Sequence, residues 1–151
     1  MAEATFHVGS AGRGPHTWVV AGDVVISLTQ EGIIPDDYWN AFVKDIQREG
    51  TTCMLGLGIG AISVNSKQRR LLGPAMSDKR VAAVLGSSVS RGIATALSWM
   101  GLKIRAFPWH DLQGAFDYLG SEALSAEQGV ELVAELLARS GAPTLESLVN
   151  N

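Results

Sequence analysis

The sequence predicts an α/β domain on a mostly parallel sheet, and three observations between residues 80 and 120 predict it. Val81 to Leu85 is a short apolar run, β-branched at Val81 and Val84, and it stops at Gly86 and two serines. That pattern is a strand buried on both faces. Ile93, Ala94, Leu97 and Met100 then recur at helical spacing until Gly101, which marks a helix and its stop. Lys103 to Phe107 is a second strand closed by Pro108, and Leu112, Ala115, Phe116 and Leu119 mark a second helix ended by Gly120. Strands alternating with helices imply parallel neighbours joined by helical crossovers.

The elements before and after this stretch follow the same logic. Trp18 to Ala21 and Val24 to Leu28 flank Gly22-Asp23, a short turn signal that predicts an antiparallel hairpin. Pro35, Asp36 and Asp37 open a helix with apolar stripe Tyr38, Trp39, Phe42, Val43 and Ile46, and Gly50 ends it. Proline suits the first turn and the two acids suit its positive end. Thr52 to Ile59 is the next strand. Asn65 and Gln68 have capping-box spacing ahead of a helix carrying Leu71, Leu72 and Met76 inward, interrupted late by Gly73-Pro74. A last helix, 126 to 139, carries Val130, Val133, Leu136 and Leu137.

The expected order is therefore β-β-α-β-α-β-α-β-α plus a C-terminal helix, around a mixed, mostly parallel sheet of four or five strands. Residues 1 to 16, with the Gly-Ser-rich stretch 9 to 16, read as an N-terminal leader whose first part is at most an edge strand. Residues 17 to 140 form the domain, and residues 141 to 151 are a tail that frays.

Composition narrows the function classes. The chain has 151 residues, 18% of them charged, with a net charge of −3. Its one basic cluster is Lys67, Arg69 and Arg70, too small for the clustered footprint that nucleic acid requires. The single cysteine, Cys53, rules out an internal disulfide and reads as a small buried hydrophobe. No apolar run reaches the length of a membrane span, and the N-terminus lacks a signal-peptide pattern. A cytoplasmic protein without a cofactor is expected. His7, His16 and His110 have no metal-ligand spacing.

The order of elements resembles the STAS domain, and within it the SpoIIAA-like branch grouped with Sec14-type domains. The residues that carry the resemblance are Arg80 to Val84, then Ser90-Arg91-Gly92-Ile93-Ala94-Thr95-Ala96-Leu97-Ser98-Trp99, then Ile104 to Phe107, and the helix ending Phe116-Asp117-Tyr118-Leu119-Gly120. Gln68-Arg69 in the preceding helix also fits. The resemblance covers residues 17 to 120 in element order and 80 to 120 in detail. It implies a non-enzymatic regulatory module that signals through protein–protein interaction. Phosphorylatable members carry Asp-Ser at the start of the helix after the third strand. Here Ser66 stands where the phosphorylated serine stands and is the candidate for phosphorylation, but an amide, Asn65, replaces the acid, so the motif itself does not indicate that modification.

The remaining motifs supply candidate sites. Gly86-Ser87-Ser88-Val89-Ser90-Arg91-Gly92 joins a strand's carboxyl end to a helix start, where backbone N–H groups and Arg91 suit an anion. Its bland alternative is a Ser88 or Ser90 cap with Arg91 solvated. Gly56, Gly58 and Gly60 lie on one strand face, so a helix, a ring or a ligand should press there, helix packing being the plainer reading. They satisfy G-x-G-x-x-A, yet the helix opens too late for a dinucleotide fingerprint. Trp109 is expected to be exposed and is a candidate anchor, while Trp18, Trp39 and Trp99 fall on core positions. Ser88, His110 and Asp111 would make a hydrolase triad only on paper, without a nucleophile elbow, and Asp111 reads as a cap.

Two expectations follow. The first is docking of a protein partner on Asn65, Ser66 and the helix after them, with Lys67, Arg69 and Arg70 against an acidic face. The stripe Val130, Val133 and Leu137 is the candidate surface for a homodimer. The second is a small-ligand module holding a nucleotide or lipid head group at Ser87, Ser88, Ser90 and Arg91, or against the glycine face. Both place the Asn65 and Ser87 turns on one rim of the sheet.

Overall fold

Six strands form one continuous sheet whose spatial order is the chain order. The computed structural model describes residues 3–7, 15–60, 63–86 and 103–150. The strands are β1 (Ala4–His7), β2 (His16–Ala21), β3 (Val24–Thr29), β4 (Cys53–Gly58), β5 (Arg80–Leu85) and β6 (Ile104–Phe107). β1, β2 and β3 pair antiparallel, and β3 to β6 pair parallel. The hairpin turns at Gly22-Asp23, where Gly22 takes φ 60°, a left-handed conformation that glycine adopts without steric cost.

The strand count corrects the expectation of four or five. The stretch expected as a leader supplies β1, and His16 already belongs to β2. Long-range contacts hold β1 in place. Phe6 lies under the Arg139 guanidinium at 4.1 Å, and His7 stacks on Trp18 at 4.9 Å.

Five α-helices are described: α1 (Asp36–Gln47), α2 (Ser66–Met76), α3 (Leu112–Leu119), α4 (Ala126–Arg139) and α5 (Leu145–Val149). The two sheet faces carry separate cores. On one, α1 and α2 bury Trp39, Phe42, Ile46 and Met76 against Trp18, Val25, Met54 and Val81. On the other, α3 and α4 bury Phe116, Val133 and Leu136 against Val19, Ile26, Leu55 and Val84. Alternation of the strand side chains produces this division. No described helix is long and apolar enough to cross a membrane.

Three local expectations change. α2 runs through Gly73-Pro74 to Met76, because burying Ala75 and Met76 in the core offsets the hydrogen bond that proline removes. Leu71, expected inside, is exposed. The expected frayed tail contains α5, capped by Thr144, and Leu145 and Leu148 pack on the core. The helix from Ile93 to Met100, with Trp99, lies outside the described residues.

Candidate functional site: the rim at the start of α2

The parallel register aligns the ends of β3, β4 and β5. Thr29 pairs with Gly58, and Gly58 with Leu85. The segments that follow β4 and β5 therefore leave the sheet at one rim. The first leads into α2, and Gly86 begins the second. Ser87, Ser88, Ser90 and Arg91 lie outside the described residues.

The start of α2 is a built structure. Asn65 Oδ1 accepts from the Gln68 N–H at 2.8 Å, and Gln68 Oε1 accepts from the Asn65 N–H at 3.2 Å. This is the predicted capping box, which satisfies two helix-end donors. Gln68 does more than cap, since its side chain is buried and its Nε2 donates to the Ile34 carbonyl at 2.9 Å. Trp39 of α1 donates its indole N–H to the Gln68 carbonyl at 2.9 Å. α2 is thus tied to α1 and to the segment before it.

That anchoring presents a distinct surface. Ile33 is 85% exposed and forms a parallel bridge with Ser63, just ahead of α2. Lys67, Arg70 and Leu71 fall on one helix face at i, i+3 and i+4 spacing, and all three are exposed. Lys67 meets Asp36 at 3.6 Å across open surface. Ser66 is exposed at the first turn, where its Oγ accepts from Arg69 Nη2 at 3.2 Å and its carbonyl accepts from Arg70 Nε at 3.3 Å. Arg69 Nη1 also donates to the Val64 carbonyl at 2.7 Å. The sequence pointed to the basic residues and to Ser66. It missed Ile33, because the Ile33-Ile34 pair does not show which of the two is exposed, and only Ile34 is buried and tied to Gln68.

A cavity of about 300 Å³ opens on the same rim, lined by Gly58, Gly60, Gly86, Trp109, His110 and Leu148, among others. Trp109 does not fit the expected exposed anchor. It is 6% exposed and belongs to the core, because the 3-10 turn Trp109–Asp111 after Pro108 swings its ring inward. His110 is exposed. Asp111 caps α3 by accepting from the Gly114 N–H at 3.0 Å, as expected, so its carboxylate is engaged away from His110.

Elsewhere the groups with chemical potential are occupied or shielded. Cys53 is buried, and burial pushes its thiol up to about 11, which leaves little reactive thiolate. Burial also pushes Asp23 up, but hydrogen bonds from Ser121, the Glu122 N–H and Thr52 outweigh it and hold the carboxyl below its usual range. Those bonds staple the β2–β3 hairpin to the segment before α4. Among the described residues no group of three or more His, Cys, Asp and Glu side chains converges. The stripe considered for self-association is spent inside the fold, with Val133 and Leu137 buried against the sheet.

The glycine face also departs from expectation at Gly56. Among the described residues a Cβ built there meets only Met54 Cε at 3.6 Å and the Ala82 carbonyl at 3.9 Å, so no described helix presses on it. Comparison with protein-family models, with curated proteins and with solved structures finds no match.

Proposed function

We infer that this chain is a non-enzymatic, STAS-like regulatory module that docks a protein partner through the rim at the start of α2. The observation that carries this reading is the pairing of an 85% exposed Ile33 with the exposed face Lys67, Arg70 and Leu71. An exposed apolar residue beside the segment that opens a basic helix face suits a partner that offers an apolar pocket and acidic side chains, because truncating a central apolar contact costs most and nearby charges steer encounter. The STAS-like residues of 80 to 120 support the regulatory part of the reading.

Ser66 gives the surface a switch. A phosphate on Ser66 would sit in the first turn of α2, beside Arg69, where added negative charge is stabilised. It would also reverse the local charge seen by an acidic partner. Phosphorylation therefore releases the partner, and Ser66→Glu reproduces part of that effect.

Quantitative affinity capture from source-cell lysate tests the reading. The triple variant Ile33→Asp, Lys67→Glu, Arg70→Glu loses the proteins that the wild type retains, whereas Arg105→Glu on β6 keeps them. Equal recovery by all three proteins rejects the docking surface.

A second reading has one observation in its favour. The rim cavity of about 300 Å³ is lined by Gly58, Gly60 and Gly86 at strand carboxyl ends, the place where ligands gather on open α/β sheets. It would hold a nucleotide or a lipid head group. Unchanged melting temperatures across such a panel would remove it.

A further inference from the structure

A second cavity, of about 270 Å³, lies between the sheet and the helix pair α1 and α2. Its cause is a row of small residues across three parallel strands. Ser27 of β3 stands opposite Gly56 of β4, and Gly56 stands opposite Ala83 of β5. All three residues line the cavity, so its floor has little side-chain volume. Trp39 and Phe42 of α1 form an aromatic wall, and Val64, Arg69 and Leu72 close the side of α2.

The cavity is apolar but not featureless. Ser27 is 4% exposed and brings the one hydroxyl of the small-residue row to the cavity floor. Arg69, exposed, stands at the other polar end. Its guanidinium gives one N–H to Val64 and one to Ser66, which fixes its plane and leaves further donors of its five.

We propose that this cavity binds a small aromatic carboxylate, with its ring between Trp39, Phe42 and the bare strand at Gly56, and its carboxylate on Arg69. Three features select that chemistry. At about 270 Å³, the cavity admits a small ring system and not a two-chain lipid. Aromatic walls favour an aromatic body through offset and edge-to-face contacts. A planar guanidinium matches a carboxylate's two oxygens. This site shares Arg69 with the Ser66 turn but uses none of Ile33, Lys67, Arg70 and Leu71, so it can be tested apart from the docking surface.

The test titrates 2-naphthoate into the wild-type chain, read by thermal shift and by amide chemical-shift mapping. Saturable binding is expected, with shifts clustered at Ser27, Gly56, Val64 and Ala83. Gly56→Val fills the floor and weakens binding by at least about tenfold. Gly56→Ala, whose added methyl makes only ordinary contacts, keeps the fold and weakens binding less. Arg69→Gln weakens 2-naphthoate about tenfold, the worth of one charge-assisted hydrogen bond, and leaves neutral 2-naphthol unchanged. Four results would each overturn the proposal: no saturation at millimolar ligand, tighter binding of decanoate than of 2-naphthoate, undiminished binding by both Gly56 variants, or shifts clustered at Gly58, Trp109 and Leu148.

Discussion

The buried amide of Gln68 donates to the main-chain carbonyl of Ile34 at 2.9 Å, and this one bond fixes where α2 begins relative to the segment before α1. The same side chain accepts from the Asn65 N–H. Its removal therefore orphans one acceptor and one donor at once.

Gln68→Ala should destabilise the fold by about 2 kcal/mol, since each buried partner left unsatisfied costs roughly 1–3 kcal/mol. Urea unfolding followed by circular dichroism measures it. Gln68→Glu is the sharper companion, because a carboxylate can still accept from Asn65 but cannot donate to Ile34. It should be at least as destabilising as Gln68→Ala near neutral pH, because it buries a carboxylate that faces the Ile34 carbonyl and Asp36.

His16 makes stability pH-dependent. It is 1% exposed, packed among Trp18, Trp39 and Phe42, and among the described residues neither ring nitrogen has a hydrogen-bond partner. Burial pushes its pKa down from 6.5 to about 4. Between those values the unfolded chain binds a proton that the folded chain refuses, so stability rises with pH across the window. Acidification from pH 7 to pH 4 should cost roughly 3 kcal/mol through this group alone. His16→Leu, which removes the unpaired polar atoms, should flatten the dependence in that window. Denaturant midpoints at a series of pH values check it.

Gly129 of α4 packs directly against Phe116 of α3. A Cβ built on Gly129 would overlap the Phe116 ring. Gly129→Ala, which on helix propensity alone should stabilise by up to about 1 kcal/mol, should instead destabilise by ~1–3 kcal/mol through overpacking. Pairing it with Phe116→Leu should recover part of the loss, and thermal melts of the single and double variants give the coupling.

What the sequence disclosed and what it concealed divide along one physical line. Signals local to a few residues were legible: the Gly22-Asp23 turn, the Asn65–Gln68 capping box, Asp111 as a cap and the bounds of α4. Features set by distant partners were not. β1 carries too little pattern in Thr5, Phe6 and His7 to stand out, and its place comes from Trp18 and Arg139. Trp109 follows a proline, as a loop anchor would, yet a single 3-10 turn directs it inward. α5 is short and rests on the core through Leu145 and Leu148. The period-two glycines were visible, but that Gly56 stands between Ser27 and Ala83 is a matter of strand register. In the candidate site, the basic residues and Ser66 were readable, and Ile33 was not.

The central claim, that a partner docks on the face around Ile33 and α2, is tested most directly by site-specific photocrosslinking. A benzophenone side chain is placed at Leu71, at His110 or at Arg105 in separate otherwise wild-type chains, and each is irradiated in source-cell lysate. The account predicts one discrete adduct from position 71, absent from positions 110 and 105 and suppressed by Ile33→Asp. An adduct from position 110 or 105 with none from position 71 would contradict it.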